Sequence, residues 1–156
     1  MPSYAAFIRG IMPMNPNMRN AKLCGVFESL GFTDVKAVIS SGNIIFKSSS
    51  KSAPALEAKI QKALNAELGF PGDTFVRSKE ELEAMIKKDP FKGAEHSRET
   101  YLIVSFLKVP PHEVFTTLDV TINKTPEFMK DIEKKYGKVV TTRTWKTIGR
   151  IVDKMK

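Results

Sequence analysis

Residues 35–48 read VKAVISSGNIIFKS, and the fold of the chain turns on them. Two β-rich runs, VKAVIS and NIIFKS, flank Ser41-Gly42. Gly42 and Asn43 tolerate positive φ, so the stretch predicts a hairpin. Working outward, Leu23, Val26, Phe27 and Leu30 recur at the helical period before it, and Gly31 stops that helix. Leu56, Ile60, Ala63, Leu64 and Leu68 repeat the period after it, across 54–68, with Gly69 as the stop. YAAFIR (4–9) reads as a first strand and TFVRS (74–78) as a short fourth one. The order is β-α-β-β-α-β, a split βαβ arrangement: an antiparallel sheet with two helices on one face, as in ferredoxin-like folds.

The second half also mixes helices and strands. Ser78-Lys79-Glu80-Glu81 is a capping box that starts a helix running to about Lys88, and Asp89-Pro90 ends it. TYLIVSFL (100–107) is the most apolar run, which predicts a central strand. A turn of helix near 111–116 and a short strand near 118–122 are expected next. Thr125-Pro126 opens a helix to Tyr136, KVVTT (138–142) is a strand, and Thr144 caps a closing helix. The expected fold is therefore α+β: two small ferredoxin-like subdomains with antiparallel sheets, divided as 1–78 and 79–156.

Composition narrows the function classes. With 42% hydrophobic and 27% charged residues, the 156-residue chain has the make-up of a globular protein. Its N-terminal apolar run is too short for a signal peptide or membrane span. The single cysteine, Cys24, has no internal partner, which fits a reducing cytoplasm. Neither CxxC nor HExxH occurs, and His96 and His112 stand apart, so neither a zinc site nor a cofactor is expected. The charge is uneven: residues 134–156 hold eight cations and one acid, while the other 133 hold 17 cations and 16 acids. A basic end of this kind attracts anionic partners.

Trp145, Ile148, Val152 and Met155 share one face of the closing helix, so Trp145 reads first as a core anchor. Lys146, Arg150 and Lys154 follow at i, i+4 spacing with no acid among them. That row is either solvated and screened or neutralised by an acidic surface or ligand. Arg143 stands at the helix entrance among Thr141, Thr142 and Thr144. Hydroxyls, an arginine and unpaired helical N–H groups together suit phosphate, sulfate or carboxylate. The alternative is that Thr144 is only a cap and Arg143 pairs with a nearby acid. Arg9-Gly10, where the first strand enters a loop, either helps to bind an anion at the helix start or is a glycine needed for the turn with Arg9 packed on a neighbour. No catalytic constellation is visible, so whether the chain is an enzyme stays open.

In combination, YAAFIRGI, then LGFTDVKAVISSGNIIF, then TTRTWKTIGRIV resemble the domain of unknown function 1697 family, over nearly the whole chain. The resemblance implies two ferredoxin-like α+β subdomains and no reaction. It points to Arg9, Gly10, Ser41, Gly42, Asn43, Thr142, Arg143, Trp145 and Thr147, to which the cap adds Thr144, as the ligand-binding set. This chain departs from the family pattern in three places, one of them a shorter segment between Pro110-Pro111 and the final strand. Met12-Pro13-Met14-Asn15 replaces Asn-Val-Gly-Gly, and Thr144 and Lys146 replace two asparagines. Both substituted stretches touch the expected site, so, if the family has a ligand site, this chain is expected to bind a different ligand or none.

Three functions remain in play. The first is a pocket for a small phosphate- or carboxylate-bearing ligand. The second is a nucleic-acid module that uses the basic helix, with Tyr4, Phe7 and Phe46 as candidate stacking groups. The third is an oligomer or partner-binding protein without chemistry. The sequence leaves the oligomeric state open.

Overall fold

A computed structural model describes residues 1–12, 14–39, 42–119, 121, 125–137 and 139–156. Strand β1 (Ser3–Ile8) leads through a short 3-10 turn (Pro16–Met18) into helix α1 (Asn20–Ser29). Then come β2 (Thr33–Ala37), β3 (Asn43–Lys47), α2 (Ala53–Leu68), β4 (Thr74–Ser78) and α3 (Lys79–Lys88). The second half contributes β5 (Thr100–Leu107), β6 (Glu113–Asp119), α4 (Thr125–Tyr136), β7 (Val140–Thr144) and α5 (Trp145–Met155). The protein is thus α+β, with two antiparallel sheets among the described residues.

The first sheet runs β2-β3-β1-β4, with Ala6 facing Ile44 on one side and Val76 on the other. Because side chains alternate along a strand, β1 is apolar on both faces. Tyr4, Ala6 and Ile8 join Leu23, Phe27, Leu56, Ile60 and Leu64 of α1 and α2 in one core. Ala5 and Phe7 point the other way, into a second core with Leu82, Met85, Val104, Phe106, Ile148 and Ile151. Phe7 stacks on Phe106 of β5 at 4.3 Å. Burying one such side chain stabilises the fold by about 1.5–3 kcal/mol. The expectation of helices on one face therefore holds only for α1 and α2. The sheet's other face is covered by α3, α5 and β5.

The second sheet runs β6-β5-β7, so the most apolar strand is central, as expected. The helical turn expected near 111–116 is instead part of β6, which pairs with β5 from Phe106↔Glu113 to Thr100↔Asp119. EVFTTLD is rich in β-branched and aromatic residues, which suit a pleated surface. The turn closes through Leu107 N–H to His112 C=O at 2.7 Å and His112 N–H to Val109 C=O at 2.8 Å. Of the strand expected at 118–122, Leu118 and Asp119 belong to β6; Val120 and Ile122 lie outside the described residues. The element order β5-β6-α4-β7-α5 thus differs from that of the first half. β2 starts earlier than expected, with a register shift between Thr33 and Lys36 and Asp34 at φ 51.

Charged groups cross the seam between the halves. Arg77, only 7% exposed, donates through Nε to Glu113 at 2.8 Å and lies 3.8 Å from Glu57. Lys108 reaches Glu57 at 3.2 Å and donates to the Thr74 carbonyl. A buried guanidinium is tolerated when it is paired in this way.

A candidate anion cleft at the ends of β1, β3 and β7

The site grows from β7, held to β5 by the pairs Thr142↔Ser105 and Arg143↔Val104. Arg143 does not turn toward the entrance of α5. Its side chain crosses the Phe7 ring at 5.7 Å and meets two loops of the first half. Nε donates to Asn43 Oδ1 at 2.5 Å, and NH2 donates to the carbonyls of Ile8 at 3.0 Å and Gly42 at 3.4 Å. NH1 donates to Thr141 Oγ1 at 2.6 Å and to the Thr142 carbonyl at 2.8 Å. One planar fork thus ties β7 to two segments that lie 100 and 135 residues before it. Burial pulls its pKa down to about 10, which leaves it charged at neutral pH.

The hairpin explains why those acceptors are there. Ile8 N–H donates to Gly42 C=O at 2.9 Å, and Asn43 Nδ2 donates to Val38 C=O at 3.1 Å. Gly42 has φ 79, and a Cβ there would stand 2.5 Å from Ile11 Cγ1 and 3.0 Å from Ile8 C=O. Only glycine fits. Asn43 itself is an ordinary strand residue, 1% exposed, and among the described residues of the turn Ile39, at φ 62, is left-handed as well as Gly42.

Arg9 stands just beyond β1. Its N–H donates to Asp73 C=O at 2.8 Å, and its Nε donates to Val140 C=O at 3.2 Å. Its other nitrogens lie 3.8 Å from Asp73 and 3.9 Å from Glu133, and the side chain is 38% exposed. Arg9, Gly10, Ile11, Met129, Glu133, Thr141, Thr142 and Arg143 line a cleft of about 380 Å³. The Thr142 hydroxyl donates weakly to Met129 Sδ at 3.6 Å. Two guanidiniums, two threonines and a carboxylate therefore share one concavity. Such a set can hold a small anion, provided that it competes with Glu133 for Arg9.

Arg9, Gly10, Thr142 and Arg143 line this cleft directly, and Gly42 and Asn43 bond to Arg143 behind it. Ser41 lies outside the described residues. Thr144, Trp145 and Thr147 do not join the cleft. The Thr144 hydroxyl accepts from Thr147 N–H at 3.4 Å and lies 3.0 Å from the Thr147 hydroxyl, so it caps α5. Trp145 packs edge-on against Phe91 at 5.2 Å and Phe115 at 6.0 Å. Cap and core chemistry claim these three, which follow the last residue of β7 that lines the cleft, Arg143. Sequence reasoning missed Asp73, Glu133 and Met129. Glu133 sits on a helix whose acids look like any solvent face, and nothing local ties it to Arg9.

Among the described residues no His, Cys, Asp or Glu cluster could hold a metal ion, and no helix is long and apolar enough to cross a membrane. A family model described as protein of unknown function (DUF1697) matches residues 1–136, a stretch that ends before β7. No curated protein matches the sequence. A solved structure of a conserved bacterial protein from Streptococcus pneumoniae is similar at 20% identity and TM-score 0.74, covering 99% of both chains. That likeness speaks for the fold alone.

Proposed function

Since the chain belongs to the DUF1697 family, whose function is unknown, its own geometry must carry the reading, and we propose that it binds a small phosphate- or carboxylate-bearing ligand in the cleft beside Arg9. The observation that carries this reading is the meeting of Arg9 and Arg143 at one cavity. The two arginines have different tasks. Arg143 spends its donors on protein acceptors and shapes the wall. Arg9 has carboxylate partners only at 3.8 and 3.9 Å, so its outer nitrogens are the ones a ligand would take over. On the same reading, residues 1–78 are a ferredoxin-like unit, supported by the strand order β4-β1-β3-β2, and 79–156 form a second α+β unit seated on its open face.

The test is an NMR titration of the protein with inorganic phosphate and with acetate. Saturable shifts in residues 8–11 and 140–143 are expected. Arg9→Gln weakens binding by about tenfold or more, the loss of a charge-assisted contact. Glu133→Gln removes the competing carboxylate and tightens it. Absence of saturable shifts in those two segments would end the proposal.

A further inference from the structure

A second basic feature lies outside this cleft. Helix α5 buries Ile148, Ile151 and Val152, and so turns Lys146, Arg150 and Lys154 outward. At 1.5 Å rise per residue these cations recur every ~6 Å along the helix. Among the described residues no carboxylate lies within salt-bridge reach of any of the three, whereas neighbouring Lys156 lies 3.7 Å from Asp153. The row runs into a pocket of about 210 Å³ at the C-terminal end of α5, lined among others by Ser3, Asp34, Lys36, Lys47, Lys154 and Lys156. The pocket's own neutralisation is weak. Lys47 meets Asp34 at 3.2 Å, but both side chains are largely exposed.

We propose that the outer face of α5 and this pocket form a track for the phosphates of a single-stranded nucleic acid. A linear row of three cations, with Asp153 as the one acid on α5, suits a regularly charged backbone. Protein interfaces deplete lysine and favour aromatic anchors, which this face lacks. An interfacial membrane helix must turn apolar residues outward, and those of α5 are committed to the core. Bases are not read by stacking, because Tyr4 and Phe46 face α1 and α2 and Phe7 lies under Phe106. Recognition is therefore of backbone charge, independent of sequence.

Binding of a fluorescent oligothymidylate, followed by anisotropy as salt is raised, tests this. If Lys36, Lys47, Lys146, Arg150, Lys154 and Lys156 each meet a phosphate, log K falls against log salt with a slope of about −4, an affinity loss of about 300-fold between ~50 and ~200 mM. The triple variant Lys146→Glu, Arg150→Glu, Lys154→Glu lowers the slope to about −2 and that loss to about 20-fold. Lys62→Glu, exposed on α2 across the sheet, leaves the slope unchanged, and Asp34→Asn tightens binding by freeing Lys47. Circular dichroism checks the fold, and Arg150→Gln alone, with a slope smaller by about 0.7, serves if the triple variant unfolds. No binding at the lowest salt, an unaltered slope in the variants, or binding to phosphatidylserine vesicles without binding to the oligonucleotide would each overturn the proposal.

Discussion

Replacing Arg143 with methionine separates the architectural arginine from the ligand-facing one. Methionine keeps an apolar stem over Phe7 but removes the fork that joins Asn43, Ile8, Gly42, the Thr141 hydroxyl and the Thr142 carbonyl. Four short bonds from a cation, at about 1.5 kcal/mol each, contribute on the order of 6 kcal/mol. Against this, burial pulls the guanidinium's pKa down to about 10, which costs roughly 3 kcal/mol at ~1.36 kcal/mol per pKa unit. The difference leaves a net loss of about 3 kcal/mol on substitution. For a chain of this length that lowers Tm by about 6–12 °C. Arg9→Gln provides the contrast: its long, partly exposed ion pairs are worth at most about 1 kcal/mol. Urea and thermal unfolding of both variants, read by circular dichroism, measure the two losses. If Arg143→Met costs less than about 1 kcal/mol, or no more than Arg9→Gln, the guanidinium does not hold the three segments together and the division of labour is wrong.

Gly42→Ala and Gly10→Ala make a matched pair, since both glycines have φ near 78 but only Gly42 has atoms in the way. Thermal melts are expected to show a loss of about 1 kcal/mol for Gly10→Ala, from left-handed strain alone, and clearly more for Gly42→Ala. Ser105 Oγ is buried in β5 without a hydrogen-bond partner among the described residues. Ser105→Ala therefore raises stability by about 1 kcal/mol in urea unfolding, whereas Ile148→Ala, in a fully buried site, lowers it by about 2–5 kcal/mol. Tyr4 donates to the Ser50 carbonyl at 2.6 Å, and its pKa is raised above 10.0, first by burial and then by Glu80 and Glu81. A raised folded pKa favours the neutral phenol, so its contribution is full below pH 10 and is lost as pH climbs through the folded value. Ultraviolet titration is expected to show one late tyrosinate that is missing in Tyr4→Phe.

Local patterns were legible because they are set within one or two turns of chain. The Ser78–Glu81 capping box, the left-handed Gly69 that ends α2, and the Thr144 cap of α5 each follow from neighbouring residues and appear as read. The alternation of VKAVISSGNIIFKS predicted the hairpin and with it the β-α-β-β-α-β order of the first half. The same locality explains the failures. EVFTTLD became a strand because β5 offered it a full edge, and a pairing partner lies outside any short window. Phe7 reads like any apolar strand residue, yet its ring decides that β5 covers the sheet's second face.

The site divides in the same way. The sequence by itself determined that Arg9, Gly42 and Arg143 were the residues to follow, because polar and glycine positions at strand ends have few packing reasons to be there. Only the tertiary structure decided what each one does. Arg143 bonds across 100 residues to Asn43 and across 135 to Ile8, while Arg9 stays half-open beside Glu133. A guanidinium's role depends on which acceptors lie within about 3 Å of it, and that distance is set by how the sheets pack.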